Sequence, residues 1–99
     1  WKIMKPEYHI WIFIGEGGRF PGGAFTELTE AESWVAKHKL TGMISTMPLG
    51  QGVFDWAVEN DALGMKPEKL LEKSEEPRFI ATCTVGALEH YHYENGIRD

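Results

Sequence analysis

Residues 89–96, with the sequence EHYHYENG, carry the side chains best suited to chemistry in this chain. Side chains on a β-strand alternate between its two faces, so His90, His92 and Glu94 share one face. The two histidines stand about 6.6 Å apart along such a strand. Two imidazoles at this spacing can hold a metal ion, and Glu94 can supply the third ligand of a His2Glu zinc site.

The same stretch has two further interpretations. In one, the strand is purely structural: its tyrosines pack inward, and His90, His92 and Glu94 face water. In the other, the histidines contact a protein partner or a small ligand. No HExxH motif and no paired-cysteine spacing accompanies them. We therefore assign no metal and no cofactor, and keep metal binding as an alternative.

A second segment, residues 15–23 (GEGGRFPGG), is rich in glycine. It lacks the Gly-Lys-Ser/Thr ending of a phosphate-binding loop, and Phe20-Pro21 interrupts any G-x-G-x-x-G pattern. The glycines are typical of a loop that needs positive φ angles. Arg19 is a candidate for binding a carboxylate, because loops on rigid scaffolds often carry contacts.

Cys83 is the only cysteine, so the chain has no internal disulfide. It lies in the apolar run FIATCTV, without a neighbouring cation that would lower its pKa, which indicates a buried and unreactive thiol. A pair between Cys83 and His90 or His92 is conceivable across a hairpin. No Gly-x-Ser-x-Gly elbow is present. We predict that the protein is not an enzyme.

Composition limits the class of protein and of partner. A chain of 99 residues with 42% apolar residues is expected to form one globular domain. Its formal charge of −5 disfavours nucleic-acid binding and suits a basic protein partner. The apolar run IWIFI is far shorter than a membrane span, and no signal-peptide pattern is present. We expect a cytoplasmic protein that does not enter a membrane.

Hydrophobic periodicity predicts the first half of the fold. Residues 8–14 are apolar on both faces, which indicates a central strand covered on each side. A short strand is expected at 24–27. Residues 28–42 are typical of a helix, with Thr29 as its N-cap and Gly42 as its left-handed stop.

The second half is predicted in the same way. Residues 43–49 indicate a strand and residues 50–64 a second helix. Residues 64–77 are expected to form a polar linker with one helical turn near its middle. Residues 78–85 (RFIATCTV) and 87–97 are predicted to be the last two strands, paired as a hairpin.

These elements predict an α+β fold. The chain is expected to be one domain, residues 1–99, with a mainly antiparallel sheet of four to five strands and two helices packed on one face. Residues 1–7 are expected to be an N-terminal extension, in which Met4 is a candidate start. Asn95-Gly96 is expected to be a turn or a frayed end.

Four segments together resemble a group of small, largely uncharacterised bacterial domains. They are WIFIGEGGRFPGGAF, AESWVAKHKLTG, PLGQGVFDWAVEN and PRFIATCTVGALEHYHYENG, and the resemblance covers about residues 10–96. The group has an Arg-Phe-Pro-x-Gly-x-Phe loop, a Gly-Val-Tyr-Asp-Trp-Ala helix and a His-Tyr-His-Tyr-Glu ending. This chain has Phe54 at the tyrosine position. The resemblance implies no activity, but small acidic domains of this sort look like immunity proteins, which neutralise a toxin by direct binding.

We therefore expect a non-catalytic protein-binding module, most specifically an immunity-type inhibitor of a basic bacterial toxin. Acidic groups on the first helix and in residues 72–76 are expected to meet the toxin. The resemblance points to six candidate contact residues: Arg19, Asp55, Trp56, His90, His92 and Glu94. The alternative is a small-ligand or metal-binding domain, weakly enzymatic or not, that uses the strand face of the last three.

Overall fold

The computed structural model describes residues 2–99 and confirms an α+β fold. Its elements are β1 (His9–Gly15), β2 (Gly23–Phe25), α1 (Leu28–His38), β3 (Gly42–Pro48), α2 (Val53–Glu59), α3 (Pro67–Lys73), α4 (Pro77–Ala81), β4 (His90–Glu94) and β5 (Ile97–Arg98). Four helices are thus present where two were expected. None of the helices within residues 2–99 is both long and apolar enough to span a bilayer.

The five strands form one antiparallel sheet in the order β2-β1-β3-β4-β5. Phe13 stands opposite Ile44, and Ile44 stands opposite Tyr91. Residues directly opposite in an antiparallel pair point to the same face. The register therefore places the aromatic residues of β1 and the tyrosines of β4 on one face, and the histidines of β4 on the other.

Helix α1 packs on the aromatic face and forms the main core. Its buried members are Trp11, Phe13, Ala31, Val35, Ile44 and Tyr93. Trp34 of α1 meets Phe13 edge-on, with ring centroids 5.5 Å apart. Trp11 stacks on Tyr91 with ring centroids 6.3 Å apart. The inward packing of the β4 tyrosines, expected from the alternation in EHYHYENG, is what the sheet shows.

The predicted ends of helix α1 were wrong by a few residues. The helix is capped by Glu27 rather than Thr29: the Glu27 side chain and Glu30 form the reciprocal capping box. At the other end, Lys39 rather than Gly42 adopts the left-handed conformation, with φ of 53°. Gly42 is instead the first residue of β3, where it lies against the end of β1.

The predicted strand at residues 78–85 was also wrong. Its first half belongs to α4, and residues 82–89 have no regular structure apart from one bridge. A short apolar run fits a helix and a strand equally well by periodicity, and Pro77 begins the helix. Phe79 meets Phe54 of α2 edge-on, with ring centroids 6.0 Å apart. The predicted linker, residues 64–77, contains α3 as a helix of two turns.

Strand β4 ends in a tight turn at Asn95-Gly96, which was one of the two expectations for this dipeptide; the other was a frayed end. Asn95 and Gly96 both have positive φ, 50° and 86°, and the chain returns as β5. The partner of β4 in this hairpin is therefore β5 and not residues 78–85. On its other edge β4 pairs with β3.

Gly42 provides a test of the close approach between β1 and β3. A Cβ at this position would collide with the Ile14 carbonyl oxygen and lie 2.8 Å from Phe13 Cζ. We expect Gly42→Ala to lower the free energy of unfolding by about 3 kcal/mol, measured by urea denaturation. Gly17→Ala is the control, because Gly17 has a φ of 79° with open space around it, and should cost about 1 kcal/mol. Equal losses would contradict the steric explanation.

Candidate functional site

The sheet face opposite α1 carries a band of half-buried apolar side chains, and we call it the open face. Ile12 and Ile14 of β1 lie beside Met43 and Met47 of β3, and all four are partly exposed. The remaining members come from β3 and β4: Ser45, His90, His92 and Glu94. In the part of the chain that the structure describes, no helix as long as α1 covers this face, so apolar area stays in contact with water.

Part of the open face is covered by the irregular segment after α4, and a cleft of about 260 Å³ lies between them. Its floor is formed by the isoleucines of β1 together with Met43, Ser45 and Met47. Its wall is formed by Val53 of α2, residues 83–86, Leu88 and His90. The sequence analysis missed this site, although alternation along MISTMPL does place Met43, Ser45 and Met47 on one face.

Backbone hydrogen bonds hold the wall of the cleft in place. The Met4 N–H donates to the Ala87 carbonyl oxygen at 2.6 Å, and the Glu89 N–H donates to the Met4 carbonyl oxygen at 2.7 Å. The Thr46 hydroxyl and N–H both donate to the Glu89 carbonyl oxygen at 3.0 Å. Ala87 and Leu88 are buried in a second core cluster, against which Met4 packs.

His90 enters this site with a defined tautomer when its ring is neutral. Its Nδ1 lies 2.6 Å from the Leu88 carbonyl oxygen. A carbonyl oxygen only accepts, so Nδ1 must carry the proton, and Nε2 is left as an acceptor. Ser45 stands directly opposite His90, and its hydroxyl donates to the Thr46 carbonyl oxygen at 3.0 Å. The Ser45 oxygen therefore also presents lone pairs.

Cys83 lines the same cleft as a half-buried thiol. Burial raises the pKa of its thiol above the ordinary value. A raised pKa keeps the sulfur protonated and weakly nucleophilic near neutral pH. The thiol is therefore a soft, polarisable part of the lining, which agrees with the unreactive thiol expected from its apolar neighbours.

The structure divides the predicted trio of His90, His92 and Glu94 between two places on the open face. His90 lines the cleft, whereas His92 and Glu94 are exposed at the far end of β4. The two imidazole rings meet at 90° with centroids 5.4 Å apart. Within residues 2–99, no three or more His, Cys, Asp or Glu side chains are placed to hold a metal ion together.

The far end of the open face is acidic. A shallow depression there is lined by Glu16, Glu94 and Asp99, with His92 beside them. We call these three carboxylates the acidic end. All three are exposed, and no ion pair to them is found within residues 2–99.

The other three predicted contact residues do not join this surface. Arg19 is exposed in the loop after β1. Asp55 is exposed on α2, along a groove of about 570 Å³ between α2 and α3. Trp56 is only 5% exposed and belongs to the second core cluster, so its assignment as a contact residue needs correction. Its indole packs in the cluster that also contains Leu88.

Comparison with protein families gives a match over most of the chain. A family model described as Domain of unknown function (DUF7710) matches residues 10–99. The chain belongs to this family. No curated protein and no solved structure matches the chain. The match agrees with the expected group of small uncharacterised domains, and it covers all of β1 except His9 and every later element.

In this DUF7710 domain, the strand that carries the site is fixed to α1 by a charged cluster. Tyr93 donates its hydroxyl hydrogen to Glu32 Oε2 at 2.6 Å, and Arg98 pairs with the same carboxylate. The Arg98 guanidinium also lies over the Tyr91 ring, 3.9 Å from its centroid. These contacts tie β4 and β5 to the helix and so hold His90, His92 and Glu94 on the opposite face.

The cluster also shifts the pKa values of its members. Partial burial of Glu32 raises its pKa, but the hydrogen bonds from Tyr93 and Arg98 outweigh it, so the pKa lies below the ordinary value of 4.5. Burial, and then the hydrogen bond to Glu32, raises the pKa of Tyr93 far above its usual range. Glu32 is therefore charged and Tyr93 neutral across the physiological range.

The lowered pKa of Glu32 predicts how stability depends on pH. Because its folded pKa lies below 4.5, the contribution of Glu32 is present above about pH 5 and is lost as pH falls through the folded pKa. Glu32→Gln should lower stability by about 1 kcal/mol at pH 7 and flatten the fall towards pH 3, measured by thermal melts. Glu72→Gln, which removes an exposed helical ion pair, should leave both unchanged. A fall of the same steepness in Glu32→Gln would contradict this assignment.

Proposed function

We propose that this domain is a non-catalytic protein-binding module that contacts its partner through the open face. The observation that carries the proposal is the band of half-buried Ile12, Ile14, Met43 and Met47, bordered by the acidic end. An apolar centre with a polar, charged border is the usual anatomy of a protein interface. The opposite face of the sheet offers no such surface, since α1 covers it.

The distribution of paired charges supports the acidic end as the part that meets a basic partner. Glu32 is paired with Arg98, Glu72 with Lys69 and Glu76 with Lys73. These acids belong to the first helix and to residues 72–76, where contacts with the partner were expected from the sequence. The charge of these three is balanced locally, whereas Glu27, Glu30 and Glu75 in the same regions have no ion pair within residues 2–99. Glu16, Glu94 and Asp99 have no such partner in the described part of the chain, so their field extends into solvent.

The more specific form of the proposal is an immunity-type inhibitor that neutralises a basic bacterial toxin. The formal charge of −5 supports it, because complementary charge accelerates encounter with a cationic protein. The small size of the domain and its rigid aromatic core suit a partner that binds without rearrangement. The inhibitor acts here by occupying the toxin's surface, and it needs no chemistry of its own.

A second candidate function, small-ligand binding, is favoured by the cleft beside His90. It is lined mainly by apolar groups, with a few polar ones, which is the usual character of a small-molecule site. This candidate uses His90 but not His92 or Glu94, since those two residues lie outside the cleft. It therefore makes a different prediction for substitutions at the far end of β4.

Charge reversal at the acidic end tests the protein-binding proposal. The probe is the product of the gene adjacent to the one that encodes this chain, titrated by calorimetry at low and high salt. We expect Glu94→Lys to weaken binding about tenfold at low salt and less at high salt, because salt screens the lost attraction. Glu75→Lys is the matched control: it changes the net charge equally, at an exposed position between α3 and α4.

The two variants also separate the competing surfaces. If Glu75→Lys weakens binding and Glu94→Lys does not, the partner meets residues 72–76 and the open face is not the interface. Equal weakening by both would show that only net charge matters. An adjacent gene product that fails to bind the unaltered chain at micromolar concentration would remove the immunity-type proposal.

A further inference from the structure

Two polar side chains that line the cleft, Ser45 and His90, present hydrogen-bond acceptors. With Nδ1–H given to the Leu88 carbonyl oxygen, a neutral His90 offers only the Nε2 lone pair. With its hydrogen given to the Thr46 carbonyl oxygen, Ser45 likewise offers only lone pairs. These two residues face each other across the β3–β4 pair, so their acceptors lie in the same part of the cleft.

We propose that the cleft binds one neutral aromatic group that carries a single hydrogen-bond donor, of the indole or phenol class. Such a group brings the donor that His90 and Ser45 lack. This inference deepens the proposed function. It rests on that function when the aromatic group is a tryptophan or tyrosine side chain of the partner. The same chemistry also describes a free small molecule.

The lining explains why the ligand is aromatic and neutral. Ile12, Ile14, Val53 and Val85 supply aliphatic walls, and the two floor methionines supply polarisable sulfur, which packs favourably against ring edges. No lysine or arginine is found among the residues that line the cleft. A carboxylate or phosphate entering it would lose its hydration without gaining a cation, which is costly.

The size of the cleft limits the ligand to one ring system. Its volume of about 260 Å³ is below the range of roughly 300–1,000 Å³ typical of drug-sized ligands. Indole and phenol have an apolar body and one polar N–H or O–H, so they can bury the ring while the donor reaches an acceptor. Tryptophan and tyrosine side chains have this character and dominate interface hot spots.

The test compares pairs of ligands in which a methyl group replaces the hydrogen of the donor. Indole and 1-methylindole, and phenol and anisole, are each titrated into the unaltered, 15N-labelled domain at pH 8 and followed by NMR. The donor-bearing member of each pair should bind about fivefold more tightly, the ratio expected for one net hydrogen bond. Shifts should centre on Ser45, Val85 and His90, and ligand protons should show NOEs to the Met43 and Met47 methyl groups.

Two variants locate the binding. Ser45→Ile fills the centre of the cleft floor with a residue favoured in strands and should abolish the shifts. His92→Ala is the control, because His92 is on the same strand but outside the cleft, and it should leave the affinity unchanged. If Ser45→Ile fails to fold, the NOEs in the unaltered protein still decide where the ligand lies.

The outcomes separate this inference from the proposed function. No binding at millimolar concentration, equal affinity within each pair, or shifts centred elsewhere would overturn the inference without touching the protein-binding proposal. Competition with N-acetyltryptophanamide, which mimics a tryptophan residue in a chain, tells the two sources of the aromatic group apart. If it displaces indole, the occupant is a side chain of the partner. If indole binds and the amide does not, the occupant is a free molecule. The inference then stands on the small-ligand function instead.

Discussion

The packing of α1 against one face of the sheet is the constraint on which the rest of the structure depends. An eleven-residue helix is about 16 Å long, enough to cover the centre of one face. The other helices have seven residues or fewer, and α3 and α4 bury none of theirs. A chain of this size thus completes one core and leaves the opposite face of the same strands partly in water.

The open face is partly covered by chain segments without regular structure. Residues 83–86 lie over the strands because the adjoining residues are fixed by hydrogen bonds from Met4, Thr46 and Glu89 backbone groups and by burial of Leu88. Such a segment cannot interdigitate with the sheet as a helix does, since its side chains do not form a continuous ridge. The cleft is the space that remains, and its shape is set by backbone contacts on both sides of it.

The parts of this fold that follow from the sequence are those with a long, regular pattern. The alternation in HIWIFIG, MISTMP and HYHYE gave three central strands and the correct face for the tyrosines, because alternation is a local property of a strand. The spacing of Ala31, Trp34 and Val35 gave α1. Its start lies two residues before the predicted Thr29 because Glu27 and Glu30 form the capping box, and helix ends are the least regular part of the pattern.

Residues 78–85 could not be assigned in this way, since their apolar run is too short to have a period. Pro77 was the available signal: a proline is favoured in the first turn of a helix, and here it begins α4. The cleft could not be predicted either, because local patterns do not show which distant segments meet. It requires residues 83–86 to lie over Ser45, and no local pattern encodes a contact between segments about forty residues apart.

The separation of His90 from His92 and Glu94 gives the open face two physically different parts. At one part, the walls are mainly apolar, and the Leu88 carbonyl oxygen fixes the tautomer of the His90 ring, whose Nε2 is the acceptor. Interactions in such a place depend on shape and on satisfying the half-buried acceptor, so under the proposed function they would govern how slowly a complex dissociates. At the other part, exposed carboxylates act through solvent over roughly a Debye length, and under the proposed function they would set how fast a partner arrives and in which orientation. The five-residue strand β4 carries both parts of the open face. Alternation places His90, His92 and Glu94 on that face, and the wall of the cleft extends only as far as His90.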